Sequence, residues 1–199
     1  LVPDKATEWN IGMTWNGRLP GDIGIRLTAD AYYNKVKDKI VAFPTTYVWK
    51  MTNLGKVDIK GIDASVAMQI PITKSISAEI AAAYTLQNAT DKTDPETVSY
   101  GTQIPYTPRH SGNGSLTLNT PWVNIGYSLI ACGERWSMIQ HKEEYRLSSY
   151  YEHGITLTHE FKFKGGSLLL SGSIKNLTDK QYGIIQYYPM PGRSFYVSG

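Results

Sequence analysis

Leu168-Leu-Leu-Ser-Gly-Ser-Ile-Lys-Asn-Leu-Thr-Asp-Lys-Gln-Tyr182, followed after a short polar stretch by Pro191-Gly-Arg-Ser-Phe-Tyr-Val197, decides the fold. Leu168, Leu170 and Ile174 alternate with Ser171, Ser173 and Lys175, the period of a strand with two unlike faces. Asn176-Leu-Thr-Asp179 then ends the run, because Asn and Asp side chains bond nearby backbone and favour corners. The chain crosses a loop and returns through Pro191-Gly-Arg into a further strand that starts at about Ser194.

The same period runs outward from there. Trp9, Ile11, Met13 and Trp15 share one face of a first strand. Ile25, Leu27, Ala29, Ala31 and Tyr33 do so in a second, which continues past Ile40. A third carries Ile62, Ala64, Val66, Met68 and Ile70. A fourth carries Ile76, Ala78, Ile80, Ala82 and Tyr84. A fifth, Gly-rich strand spans His110 to Leu118. Val123, Ile125, Tyr127, Leu129 and Ala131 mark a sixth, and Tyr151, Ile155, Leu157 and Phe161 a seventh. The closing stretch supplies the eighth and ninth, the last ending at Gly199 with few residues written.

Connection lengths alternate. Those near 17–22, 71–74, 119–121 and 164–166 are short, and those near 43–53, 87–107, 137–147 and 184–193 are longer, polar and rich in Tyr. Short turns at one end and long loops at the other describe an up-and-down meander. Rings cluster at both ends: Trp15, Trp122 and Phe161 beside the short turns, and Tyr33, Tyr84, Trp136 and Tyr151 near the long loops. Such girdles mark the two interfaces of a membrane. No apolar run is long enough for a spanning helix, while the mean hydropathy of -0.30 suits a barrel that alternates lipid-facing and water-facing residues. The net charge of +3 is spread along the chain, so nucleic acid is not an expected partner. A single cysteine, Cys132, excludes an internal disulfide.

Six pieces in order resemble TonB-dependent receptors, the plugged outer-membrane barrels of Gram-negative bacteria. They are Leu1-Val-Pro-Asp4 leading to Gly12, Ala31-Tyr-Tyr33 with Asp38-Lys-Ile40, and Asn53-Leu-Gly-Lys-Val57 with Lys60-Gly-Ile-Asp63. Ile104-Pro-Tyr-Thr-Pro-Arg-His110, the Asn176 corner and the Pro191-Gly-Arg return complete the set. Asp4 and Asp63 stand where the family usually has Glu, and Asn10 where a second Glu is common. The resemblance implies an all-β fold, an antiparallel up-and-down meander of about nine strands forming the C-terminal part of a 22-stranded transmembrane β-barrel. Residues 1–199 are then one piece of that barrel, with the plug and the N-terminal strands absent and the last strand truncated. It also implies an active importer of a large scarce nutrient: siderophore-iron, haem or cobalamin. Its expected partners are TonB (through an N-terminal segment), its own plug, the bilayer with its lipopolysaccharide, and the nutrient chelate. No cofactor is expected.

Two sets of residues are candidate sites. The loop aromatics Tyr47, Trp49, Tyr100, Tyr106, Trp136, Tyr145, Tyr187 and Tyr188 suit a bulky apolar ligand. Arg26, Asp30, Asp63, Glu79, Glu152 and Lys175 fall by parity on the lumen side, where they would pair with one another or with the plug. Gly61 is expected to let the third strand bend as it leaves its loop. No catalytic residue is expected, for no nucleophile elbow is present. No metal site is expected either, because His141 with Glu143 and Glu144 lacks a second ligand pair at zinc spacing. The rival readings are a small passive barrel or adhesin, and a soluble all-β binding module with Ile62, Val66, Ile80 and Leu129 in its core.

Overall fold

Residues 2–44 and 48–199 are described by the structure, a computed structural model. Its strands are β1 (Lys5–Leu19), β2 (Ile23–Pro44), β3 (Trp49–Pro71), β4 (Ser77–Asp91), β5 (His110–Asn119), β6 (Asn124–Cys132), β7 (Arg135–Trp136), β8 (Arg146–Leu147), β9 (Tyr150–Phe163), β10 (Gly166–Lys175), β11 (Gly183–Ile185), β12 (Tyr188–Pro189) and β13 (Ser194–Ser198). A single 3-10 turn, Glu143–Tyr145, precedes β8. Nine strands form one antiparallel sheet in the order β1-β2-β3-β4-β5-β6-β9-β10-β13. The pairs β7–β8 and β11–β12 are small ladders inside two long loops.

One expected loop is largely strand among the described residues. β2 and β3 stay paired out to Pro44 and Trp49, so most of the 43–53 connection is a continued hairpin. β2 and β3, at 22 and 23 residues, run well past the membrane-crossing length of about 9–11 residues.

Register joins the alternation of single strands into two continuous faces. Trp15, Leu27, Val66, Ala82, Gly114, Leu129 and His153 stand opposite one another in turn. The neighbouring row is Asn16, Arg26, Ala67, Ala81, Ser115, Ser128 and Gly154. Paired residues lie on the same side of a sheet, so one face is apolar and the other polar. Among the described residues no second sheet covers the apolar face: Ile11 is 76% exposed, Met13 69% and Ile62 52%. A soluble module would bury these, so that rival reading fails. On β1 the band runs from Trp9 to Leu19. Those ten steps are about 34 Å along the strand, or about 24 Å in height at a tilt of about 45°, against the ~25 Å apolar belt of an outer-membrane barrel.

Three histidines on the apolar face pair sideways with neighbouring rings. Tyr84 Oη and His110 Nδ1 are 2.6 Å apart, and Tyr127 Oη bonds His153 Nδ1. His159 packs edge-on against Phe161. Trp9 stacks on Tyr33 at 5.6 Å, placing rings at the long-loop end of the band. Trp136 belongs elsewhere: it sits in β7 and stacks on His141 at 4.7 Å, so it is a loop residue and no part of a girdle.

Gly61 does not serve as a bend. It lies within β3 on the polar face, where Tyr32 covers it and accepts a hydrogen bond from Gln87 Nε2 at 3.0 Å. A Cβ there would fall 2.4 Å from Tyr32 Oη and 2.7 Å from Leu86 O. Close approach of a ring and a neighbouring strand therefore demands glycine.

The corner quoted at the outset closes as its residue types require. Asn176, 1% exposed and in the left-handed region (φ 49°), accepts from Lys180 N at 2.8 Å. Its Nδ2 donates to Lys180 O at 3.0 Å and to Pro191 O at 3.2 Å. Asp179 Oδ1 accepts from Arg193 N at 2.8 Å, and a Cβ on Gly192 would lie 2.7 Å from the same oxygen. Asn-Leu-x-Asp and Pro-Gly-Arg are thus two halves of one joint.

Two outcomes follow for the intact barrel. Asn176→Ala strands buried backbone groups and lowers stability by about 1–3 kcal/mol in denaturant unfolding; an unchanged midpoint would contradict the joint. Val66→Arg costs about 2–4 kcal/mol when refolded into bilayers, whereas Ser65→Arg on the opposite face costs little. Equal costs would reject the assignment of faces.

Candidate functional site

The described long loops fold toward the polar face and lock together. Val36, Val57 and Ala89 share the polar parity, and Ile104 from the β4–β5 loop packs on them as a small buried cluster. Gln103, 5% exposed, fixes that loop. Its Oε1 accepts from Ala89 N at 3.1 Å, and its Nε2 donates to Gln87 O and Thr107 O at 3.3 and 3.2 Å. Asp91 holds the loop's start, accepting from Thr93 N and Ser99 Oγ, each at 2.9 Å.

The β6–β9 loop joins it at two points. Tyr106 N donates to Trp136 O at 2.7 Å, and His141 Nε2 lies 2.9 Å from Gln103 O. The same loop grips the β10–β13 loop through Arg135, which is 3% exposed. Arg135 Nη2 donates to Gly183 O at 2.7 Å and Ile184 O at 3.1 Å, and its guanidinium lies 5.3 Å from the Tyr150 ring centre. Ser137 Oγ bonds Gln186, and Gln186 Nε2 donates to Glu144 O at 2.8 Å. Tyr182 stacks on Tyr150 at 4.2 Å and donates to Glu152. Burial, then that carboxylate, pushes the Tyr182 phenol well above its usual pKa, so it remains a donor at physiological pH.

No carboxylate pairs with the buried Arg135 charge among the described residues. Carbonyl dipoles and the Tyr150 face compensate it instead. Among the described residues Arg135 Nη1 is buried without a hydrogen-bond partner, and Tyr106 Oη is buried near Ser137 and Gln186. Beside them a cavity of about 340 Å³ opens between the β4–β5 and β6–β9 loops, lined in part by Arg109, His110, Glu134, Arg135, Trp136 and His141. Glu134 is drawn to Arg146 at 2.7 Å. No group of three or more metal-ligating side chains forms among the described residues.

The loop aromatics divide by environment. Tyr187 is 87% exposed with φ 67°, Tyr188 is 58% exposed in β12, and Tyr100 carries Lys92 Nζ 4.4 Å over its ring. Tyr106 and Trp136 are built into the loop contacts. Tyr145 is half-buried, and its carbonyl accepts from Ser137 N at 2.8 Å. Trp49 begins β3, and Tyr47 lies outside the described residues.

Arg26, Asp30, Asp63, Glu79, Glu152 and Lys175 form no ion pairs with one another among the described residues. Asp30 and Asp63 stand directly opposite, with Thr85 Oγ1 donating to Asp63 at 2.6 Å. Arg26 Nε donates to Asn16 Oδ1 at 2.8 Å, Asn119 Nδ2 donates to Glu79 at 3.2 Å, and Lys175 Nζ sits 4.9 Å over Tyr196. Arg135, Ser137 and Gln186 escaped sequence reading because nothing in Gly-Glu-Arg-Trp-Ser or Ile-Ile-Gln marks a contact across 49 residues.

Comparison with known proteins agrees with this architecture. The family model described as "TonB dependent receptor-like, beta-barrel" matches residues 1–177. The ferric-catecholate import receptor Fiu of E. coli K12 superposes with a TM-score of 0.70 at 21% identity, covering 98% of this chain and 27% of Fiu. The siderophore receptor PiuA of Acinetobacter baumannii gives 0.71 at 18% identity over 96% of this chain and 28% of PiuA. The copper transporter OprC gives 0.69 at 17% identity over 98% of this chain and 31% of OprC. The chain thus spans less than a third of the structures it resembles. No curated protein matched the sequence.

Replacing Arg135 by Ala frees two carbonyls and a loop contact, and Arg135→Lys cannot restore the two-carbonyl grip. Both variants of the intact receptor should be cleaved by protease in residues 176–193 roughly tenfold faster or more, with barrel unfolding little changed. Unaltered cleavage would show that Arg135 does not hold the loops.

Proposed function

The chain belongs to the TonB dependent receptor-like β-barrel family, and from that membership we propose that it is wall and rim of an active importer in the outer membrane of a Gram-negative bacterium. One observation carries this reading: an uncovered apolar face about as tall as a bilayer's hydrocarbon core, topped by loops that fold to the polar side. β1 and β13 each have a single neighbour in the sheet, so the nine strands do not close on themselves. Such edges pair with further strands, which disfavours a small self-contained pore. The rest of the wall, together with a plug, would come from the part of the receptor that the matched structures have and this chain does not span.

The cargo is a bulky nutrient chelate, siderophore-iron first. Fiu is described as a ferric-catecholate import receptor and PiuA as a siderophore receptor, and the exposed rings of Tyr187 and Tyr188 offer apolar surface. On the lumen side, Asp30, Asp63, Arg26 and Lys175 retain capacity for charged partners on a plug. TonB supplies the work through the plug, and no covalent bond is made or broken.

Tyr187→Ala with Tyr188→Ala in the intact receptor should weaken binding of the transported chelate about 10–100-fold and leave unfolding unchanged. Cells lacking the receptor should fail to accumulate that chelate. Normal uptake of every siderophore, haem and corrinoid tried would reject the importer.

A further inference from the structure

The cavity of about 340 Å³ between the β4–β5 and β6–β9 loops holds more positive charge than the protein answers. Arg109, at the end of the β4–β5 loop, and Arg135, in β7, both line it. Neither forms an ion pair among the described residues. Two carboxylates lie close by, and both go to Arg146, Glu134 at 2.7 Å and Glu143 at 2.6 Å. Glu134 is the one acid among the described lining residues, and it is turned to an arginine that does not line the cavity. Arg135 is 3% exposed. Its Nη2 takes the Gly183 and Ile184 carbonyls, while Nη1 stays buried without a hydrogen-bond partner among the described residues. A buried donor on a charged group with no acceptor costs stability, and two like charges around one cavity repel.

Size and donor type narrow the occupant. The volume equals roughly ten waters at about 30 Å³ each, room for a tetrahedral oxyanion that keeps part of its hydration shell. It stands near the lower limit of about 300–1,000 Å³ for pockets that take drug-sized ligands, so a bulky chelate does not fit. Guanidinium groups present planar N–H forks that match the oxygens of such an anion. The two loops otherwise meet here through neutral contacts. Tyr106 N donates to Trp136 O at 2.7 Å, and His141 Nε2 lies 2.9 Å from Gln103 O.

We propose that this cavity is a site for a small inorganic oxyanion, phosphate or sulfate, which bridges Arg109 to Arg135 and clamps the β4–β5 loop to the β6–β9 loop. One anion answers both guanidinium charges, which Glu134 does not do while Arg146 holds it. The anion also gives Arg135 Nη1 the acceptor that the loops withhold. Glu134 borders the same space, so its carboxylate opposes the anion and sets how tightly it binds. Anything that binds the joined loops better than the parted ones favours the joined state, so the rim tightens as the oxyanion concentration outside rises. The site lies apart from the exposed Tyr187 and Tyr188 rings and does not depend on what is carried.

The test titrates the intact receptor in detergent with sodium phosphate, then with sodium sulfate, at an ionic strength held constant with sodium chloride. Binding is read by calorimetry and by protease cleavage within residues 92–109 and 133–149. Arg135 is left in place because it holds the loops. The wild type should bind either oxyanion saturably, and cleavage should slow about threefold or more. Arg109→Gln keeps the Arg109 carbonyl that accepts from Gln87 N at 2.8 Å, and should weaken binding about tenfold or more. Glu134→Gln should strengthen it about 3–10-fold, by removing a charge beside the anion. Lys164→Gln, at the far end of the sheet, should change nothing. Equal protection by chloride alone, full affinity in Arg109→Gln, or weaker binding in Glu134→Gln would each overturn the proposal. So would binding of citrate without phosphate or sulfate, which would make this a carboxylate site. Should Arg109→Gln misfold, the chloride comparison and Glu134→Gln still decide. No nutrient chelate is present, so failure here is separable from failure of the importer.

Discussion

Parity across the sheet is the constraint on which the rest of the structure depends. A single-layer antiparallel sheet has no interior to hide a misplaced side chain, and a slip of one residue exchanges its faces. Trp15, Leu27, Val66, Ala82, Gly114 and Leu129 come from six strands, and every pairing between them must hold for the band to be continuous. The short turns fix each hairpin at one end. At the other end the Asn176 joint fixes the last one, where backbone donors and acceptors would otherwise be stranded in a buried corner.

Parity also explains where the loops go. At the long-loop end the polar face offers Val36, Val57 and Ala89 as an apolar seat, whereas the other face offers lysines. Ile104 therefore turns inward, and the next two loops build on the β4–β5 loop through His141 and Arg135. Much of the rim is joined by side chains reaching backbone carbonyls. Such contacts tolerate changes in neighbouring side chains, so a rim of this kind can keep its frame while its exposed rings vary.

The layout of the sheet was legible because its signals are local. Period-two alternation, turn residues and the Asx corner each lie within about ten residues, and β13 begins at Ser194 where the return was expected. What was illegible depends on register. Gly61 reads as a flexible residue until Tyr32 is placed over it. The 43–53 stretch reads as a loop until Pro44 and Trp49 are seen to pair. Lys5, Lys37 and Lys56 are scattered along 52 residues of sequence and become one row only when β1, β2 and β3 align. Trp136 shares its residue type with the girdle and not its parity.

The wall and the rim answer to different physics, and this sets how far fold leads toward cargo. Fiu, PiuA and OprC share this fold at 17–21% identity, and they are described as a ferric-catecholate import receptor, a siderophore receptor and a copper transporter. A bilayer imposes one height, one outward polarity and paired backbone on all such walls, so these features converge whatever is carried. On the importer reading proposed above, selectivity would reside where the bilayer imposes nothing, in side chains such as Tyr187 and Tyr188 that the sheet positions without burying.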